Sequence, residues 1–314
     1  MTFMTIFLQM LTLCIPIVGG IVAARAGFLD QKMNTALTRL VMNITLPCMV
    51  VASVGANETL PETPVLLTLL AASIVGYAIA AIIAFMVTAL MRTPATERSA
   101  WHFSITFGNV GFIGIPLVTG IFGAQYAVFA VVFVVVFHVL SWTVGVGMLK
   151  GSFREMSWKE ALLNPGILSA LVAVPLFVMN ITLPSSLGAV VGYLSSLNTP
   201  LAMLVCGFFI AGVDWNRFRE KGVLYASLTR LVWIPLLTML LYWVLGLHRW
   251  IDDGVTLVLV NLIAGACPAA IATSMMSARC GLDGEYASVI VAVTTVGCLV
   301  TVPLIAMLGQ MIFV

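Results

Sequence analysis

Asn109 is followed seven residues later by Pro116, and Asn261 is followed seven residues later by Pro268, so one spacing occurs twice, 152 residues apart. Around the first copy, Gly108, Gly111 and Gly114 precede Pro116 inside an apolar stretch of membrane-spanning length. Glycine costs a helix backbone entropy, and proline removes a donor and clashes one turn back. Inside lipid the freed backbone groups are expensive, so a broken helix survives only where protein or a water-filled cavity covers it. A pair of interrupted spans at matching places in two halves points to the substrate site of a transporter. Proline suits the first turn of a helix, so Pro116 and Pro268 are each expected to open a second half-helix. The N-terminal ends of such half-helices carry unpaired N–H groups and positive partial charge, which suits a carboxylate. Asn109 and Asn261 would add an amide donor and acceptor each, to ligand or to freed backbone. The plainer reading is that Gly and Pro here allow kinks and close helix packing.

Other polar residues inside apolar stretches are few. Asn43 with Pro47, and Asn198 with Pro200, mark two further segments. Their amides stand either on the far wall of the same cavity or as interhelical glue. His138 lies deep in an apolar run without a charged neighbour in sequence. It is read either as a proton-responsive group or as a neutral imidazole hydrogen-bonded to a backbone carbonyl or to Ser141. Arg39 and Arg230 occupy matching Leu-Thr-Arg-Leu-Val segments. Snorkelling to the membrane edge accounts for both, with counter-charge for an anion as the sharper alternative. All twelve acidic residues fall in loops or at span ends. That weakens carboxylate-based proton or sodium exchange and removes paired-acid proteolysis. HExxH, GxSxG and Walker sequences are absent, which argues against an enzyme. The six cysteines show no CxxC spacing and read as reduced packing residues, without metal or cofactor.

The elements that must position these residues follow from composition. Hydrophobic residues make up 61% of the 314 and charged ones 8%, with a mean hydropathy of +1.14. A soluble fold could not bury that much apolar surface, so the chain is expected to be an all-α polytopic membrane protein. Apolar windows lie near 4–24, 36–55, 64–90, 100–122 and 124–149, and again near 162–180, 186–212, 223–246, 255–278 and 286–312. With ten spans, thirteen of the fourteen Lys and Arg residues fall on one side and only Arg249 on the other. The positive-inside rule makes the basic side cytoplasmic and puts both termini outside. The first run, lacking a basic leader and a cleavage site, is read as a retained span. No basic cluster suggests nucleic acid.

Five spans per half means that the halves enter the membrane in opposite senses, as an inverted repeat. Residues 1–149 form the first repeat, 150–161 a short polar linker and 162–314 the second. The Asn–Pro pair is one sign of the repeat. Pro47 and Pro200 are a second, and Gln125-Tyr126-Ala127 against Glu285-Tyr286-Ala287 a third.

Asn109-Val-Gly-Phe-Ile-Gly-Ile-Pro116 resembles the first-half signature of the auxin efflux carrier family, which includes plant PIN-FORMED proteins and bacterial organic-acid carriers. Leu40-Val-Met-Asn-Ile-Thr-Leu-Pro47 is similar to its second span, and Asn164-Pro165 and the stretch from Pro268 through Tyr286 to Pro303 are similar to second-half features. The resemblance implies ten helices in two inverted repeats, with broken spans 4 and 9 crossing beside the substrate. It also implies a scaffold of spans 1, 2, 6 and 7, a moving domain of spans 3–5 and 8–10, and a homodimer. Carried onto this sequence, the crossover residues are Asn109, Pro116 and Pro268, with Asn261 joined to them by the repeat. The long central loop of the plant members is absent, which favours a short bacterial carrier of the inner membrane. The expected function is therefore secondary, elevator-like transport of a small organic acid, coupled to a proton or sodium ion. Without an arginine at mid-membrane, a monocarboxylate fits better than a dicarboxylate. A sodium-coupled symporter of the bile-acid type is the nearest alternative, and a non-transporting membrane sensor or assembly partner the alternative of another class.

Overall fold

A computed structural model describes residues 3–55, 62–152, 162–179, 181, 183–251 and 253–314. The predicted linker therefore lies mostly outside the described residues. Among those residues the chain is helical throughout, with one isolated backbone bridge and no strand. Among the described residues, seven helices are long and apolar enough to cross a membrane: α1 (Phe3–Arg25), α2 (Gln31–Ser53), α3 (Pro64–Leu90), α6 (Ala124–Lys150), α8 (Ser185–Ala211), α9 (Lys221–Val244) and α12 (Gly284–Phe313). Three shorter apolar helices are α5 (Val110–Phe122), α7 (Pro165–Leu176) and α10 (Gly254–Gly265). Two further helices, α4 (Ala95–Thr106) and α11 (Ala272–Arg279), complete two broken pairs, α4/α5 and α10/α11. The chain is thus a polytopic helical membrane protein, whose apolar residues face both inward and outward because lipid covers the rim.

Local chemistry explains several helix boundaries and bends. Asp30 caps α2 by accepting from Met33 N at 2.7 Å, and Asp283 caps α12 by accepting from Tyr286 N at 2.8 Å. Three wide turns sit directly ahead of a proline. Leu46 N donates to Val41 O before Pro47, Ile115 N to Val110 O before Pro116, and Ile234 N to Thr229 O before Pro235. A proline ring collides with the carbonyl one turn back, and lengthening that turn by a residue moves the carbonyl aside.

Polar ties and small residues decide how the helices assemble. The most extensive pairing is α1 with α8. A Cβ on Gly207 would fall on the Ile17 carbonyl oxygen, and one on Gly20 on the Leu204 carbonyl oxygen, so only glycine permits this approach. Helices α2 and α8 are joined where Thr45 Oγ1 donates to Asn198 Oδ1 at 3.0 Å. Trp101 Nε1 donates to the Tyr286 hydroxyl at 2.9 Å, and that hydroxyl donates to Glu97 Oε2 at 2.7 Å. Arg217 reaches Asp283 at 3.2 Å beside them, so the loops before α4, α9 and α12 meet at one end. At the other end the Tyr126 hydroxyl donates to Asp253 Oδ2 at 3.2 Å.

Candidate functional site at a helix crossover

Helix α4 stops at Thr106 and α5 begins at Val110, while α10 stops at Gly265 and α11 begins at Ala272. The two connecting segments pass each other antiparallel, with Gly108 opposite Ala269. Asn109 N donates to Pro268 O at 2.7 Å, and Ala270 N to Phe107 O at 2.9 Å. Ala269 N donates to Thr294 Oγ1 of α12 at 3.1 Å. Part of the backbone freed by each break is therefore satisfied by the other break, as burial demands.

The orphan carbonyls at the ends of α4 and α10 have a different partner. Arg230 of α9 is 2% exposed. Its Nε donates to Cys267 O at 3.0 Å, and its Nη2 to Gly265 O at 2.8 Å. Its Nη1 donates to Ile105 O at 3.0 Å and to Thr106 O at 3.4 Å. One guanidinium thus closes the C-terminal ends of both half-helices. A Cβ on Gly108 would fall on Arg230 Nη2, so the glycine leaves room for the cation. Sequence reasoning assigned Arg230 to the membrane edge. The structure corrects this, because the side chain turns inward where four carbonyls compensate its desolvation. Arg39, in the identical five-residue segment, is exposed. The available signal was a basic residue inside an apolar window with a proline five residues on.

On the opposite side of the crossover the N-terminal ends of α5 and α11 border a small cavity of about 40 Å³. Asn109, Gly111, Val134, His138, Ala272 and Met42 are among its lining residues. The first N–H groups of a helix have no partner inside it, so this wall offers donors and positive partial charge. Asn109 is 5% exposed, and among the described residues its Nδ2 has only the Cys206 Sγ, at 3.9 Å, as a weak acceptor. His138, 3% exposed, has no hydrogen-bond partner at Nδ1 or at Nε2 among the described residues. Ser141 Oγ donates to the His138 backbone carbonyl rather than to the ring. The ring packs against Gly166 of α7, where a Cβ would overlap it, and edge-on to Phe137. No acid lines the cavity, and no group of His, Cys, Asp or Glu among the described residues has metal-binding geometry.

The structure distributes the sequence-predicted residues as follows. Asn109, Gly111 and His138 meet at the cavity. Pro268 lies in the break behind them, its carbonyl held by Asn109 N. Pro116 stands in the first turn of the α-helical stretch Ile115–Phe122, but the half-helix itself starts six residues earlier with the wide turn at Val110, because the crossing at Gly108 has already broken the chain. Gly114 is buried, and a Cβ there would meet Val110 and the Cys267 sulfur. Asn261 lies before the second break and away from the cavity. Its Nδ2 donates to Ser73 Oγ at 3.2 Å and its Oδ1 lies 2.9 Å from the Tyr242 hydroxyl, which also reaches Ala72 O. That network joins α3, α9 and α10. Asn198 belongs to the α2–α8 contact, and exposed Asn43 donates to Arg39 O at 2.7 Å.

A family model described as "Membrane transport protein" matches residues 5–155 and 152–306, nearly the whole chain. A protein of Methanothermobacter thermautotrophicus (strain Delta H) named "Uncharacterized transporter" is 24% identical over 313 residues. That alignment covers 97% of this chain and 98% of the relative.

Proposed function

Because the chain belongs to the membrane transport protein family, we propose that it is a secondary transporter, not an enzyme, which carries a small organic anion across the membrane. The observation that carries the reading is the polarity of the crossover. Arg230 closes the carbonyl ends of α4 and α10, so the ends left facing the cavity are the N–H ends of α5 and α11. That arrangement favours negative charge, and Asn109 and His138 add side-chain groups whose hydrogen-bonding capacity is unused or weakly used. A carboxylate with a small polar body matches it better than a cation or a lipid.

Each broken pair then counts as one pass. With α7, the passes number ten, as two inverted five-helix repeats meeting at residues 150–161. A cavity of about 40 Å³ is well under the ~150 Å³ that admits benzene, so this conformation is closed around its site. The cavity is walled by α2 on one side and by α5, α6 and α11 on the other. Movement of the second group against α2 would enlarge it, which is the elevator-like step of the mechanism. In this reading the positive-inside rule puts both termini outside the cell membrane, and the homodimer expected from the resemblance belongs to the same proposal.

The test is the thermal stability of the detergent-purified protein against a panel of small mono- and dicarboxylates. A ligand that binds the folded state raises the melting temperature by mass action. One acid or a narrow class is expected to do so, and Asn109→Ala is expected to abolish the shift while keeping the unliganded melting temperature within a few degrees. No shift with any acid would refute the anion assignment, and an equal shift in Asn109→Ala would remove the site.

A further inference from the structure

We propose that Arg230 is a resident cation standing where a cation-coupled carrier would hold its sodium ion, so that this protein binds no coupling sodium at its crossover. The inference rests on the transport reading above and concerns what drives it. Broken membrane helices hold coupling cations with unwound backbone carbonyls and with the C-terminal ends of half-helices. Here those groups are the carbonyls of Ile105, Thr106, Gly265 and Cys267, and all four accept from one guanidinium. Two hydroxyls stand in the same pocket: Tyr77 and Thr106 border the small space beside Arg230, and neither has a hydrogen-bond partner among the described residues. The four carbonyls form an all-oxygen cradle of the kind hard cations select, with the two hydroxyls beside it.

The charges also balance. Each helix C-terminus carries about half a negative elementary charge, so the two ends together match one guanidinium. A sodium ion added to this cradle would face a fixed positive charge and find its ligands taken. Gly108 supports the assignment independently, since a Cβ at that position would overlap Nη2. The backbone beside the cradle is thus shaped for the guanidinium. A sodium symporter that held its ion on these carbonyls is disfavoured by the same observation.

The experiment compares melting temperatures in sodium chloride and in choline chloride at equal ionic strength, for the wild type, Arg230→Ala and Arg230→Lys. The wild type is expected to melt at the same temperature in both salts. A saturable rise specific to sodium would overturn the proposal. Arg230→Ala is expected to melt lower and to recover part of the loss in dilute guanidinium chloride, but not in choline, which is too large and has no N–H. A folded Arg230→Ala protein indifferent to guanidinium would overturn it as well. Should the alanine variant not fold, Arg230→Lys keeps a cation in the cradle and is expected to fold and to ignore sodium. Sodium-specific stabilisation of the lysine variant would count against the proposal. None of these readouts involves a transported acid, so failure of the anion assignment leaves them unchanged.

Discussion

Replacing Gly108 with alanine probes the crossover with a single methyl group. Gly108 is not among the glycines with positive φ, so its backbone conformation suits alanine and any effect is steric. The new Cβ falls on Arg230 Nη2, the nitrogen that donates to Gly265 O at 2.8 Å. Because the guanidinium is planar and rigid, moving Nη2 also disturbs the Nη1 contacts to Ile105 O and Thr106 O. A hydrogen bond to a charged group contributes about 1.5–3 kcal/mol. Loss of one such bond and weakening of another gives a destabilisation of about 3 kcal/mol. That stays at the lower edge of the ~3–5 kcal/mol for leaving a buried charge without its partner. In a chain of this length each kcal/mol moves the melting temperature by roughly 2 °C, so a drop of roughly 6 °C is expected. The assay is thermal unfolding of the detergent-purified protein followed through its seven tryptophans, at one scan rate. Gly192→Ala in α8 is the control, because no atom lies within 4 Å of its added Cβ. It is expected to lie within about 1 kcal/mol of the wild type, on the stabilising side. A Gly108→Ala protein as stable as the wild type would show that the guanidinium is not seated between the two breaks.

Two further outcomes follow from polar contacts elsewhere. Tyr242→Phe removes the hydroxyl that reaches both Ala72 O and Asn261 Oδ1, and is expected to lower stability by about 1–2 kcal/mol while leaving acid-induced stabilisation intact. A loss of ligand response at unchanged stability would instead connect Asn261 to the site. At the basic end, Asp283 is partly desolvated, which raises its pKa. The Tyr286 N–H and the Arg217 side chain outweigh this and hold it below its ordinary 3.8. Its folded pKa is depressed, so its contribution is complete above the ordinary carboxylate range and is lost as pH falls through the folded value. Asp283→Ala is therefore expected to lose about 1 kcal/mol of capping at neutral pH and to converge with the wild type in strong acid, as melting curves across pH would reveal.

Much of the architecture was legible along the chain because lipid imposes simple demands. Apolar windows mark the helices, and Gly108 and Pro268 mark where two helices break. Asn109 and His138 stood out because polar side chains are scarce in such a sequence, and both border the cavity. The register of the crossing was not legible. The Asn–Pro repeat sets Pro116 against Pro268, whereas the backbone pairs Gly108 with Ala269, because the break falls wherever two segments can exchange hydrogen bonds. Nor could spacing separate Asn109 from Asn261, whose amide is engaged by Tyr242 and Ser73.

Arginine shows the division most sharply. Leu-Thr-Arg-Leu-Val occurs twice, yet Arg39 is exposed and Arg230 is buried among four carbonyl oxygens. A helical membrane protein with two interrupted spans and donors near the breaks can be read along the chain. Which charge is drawn inside depends on how the helices pack. Burying a cation is favourable solely where other elements bring enough oxygen atoms to one point, and no single segment holds all four.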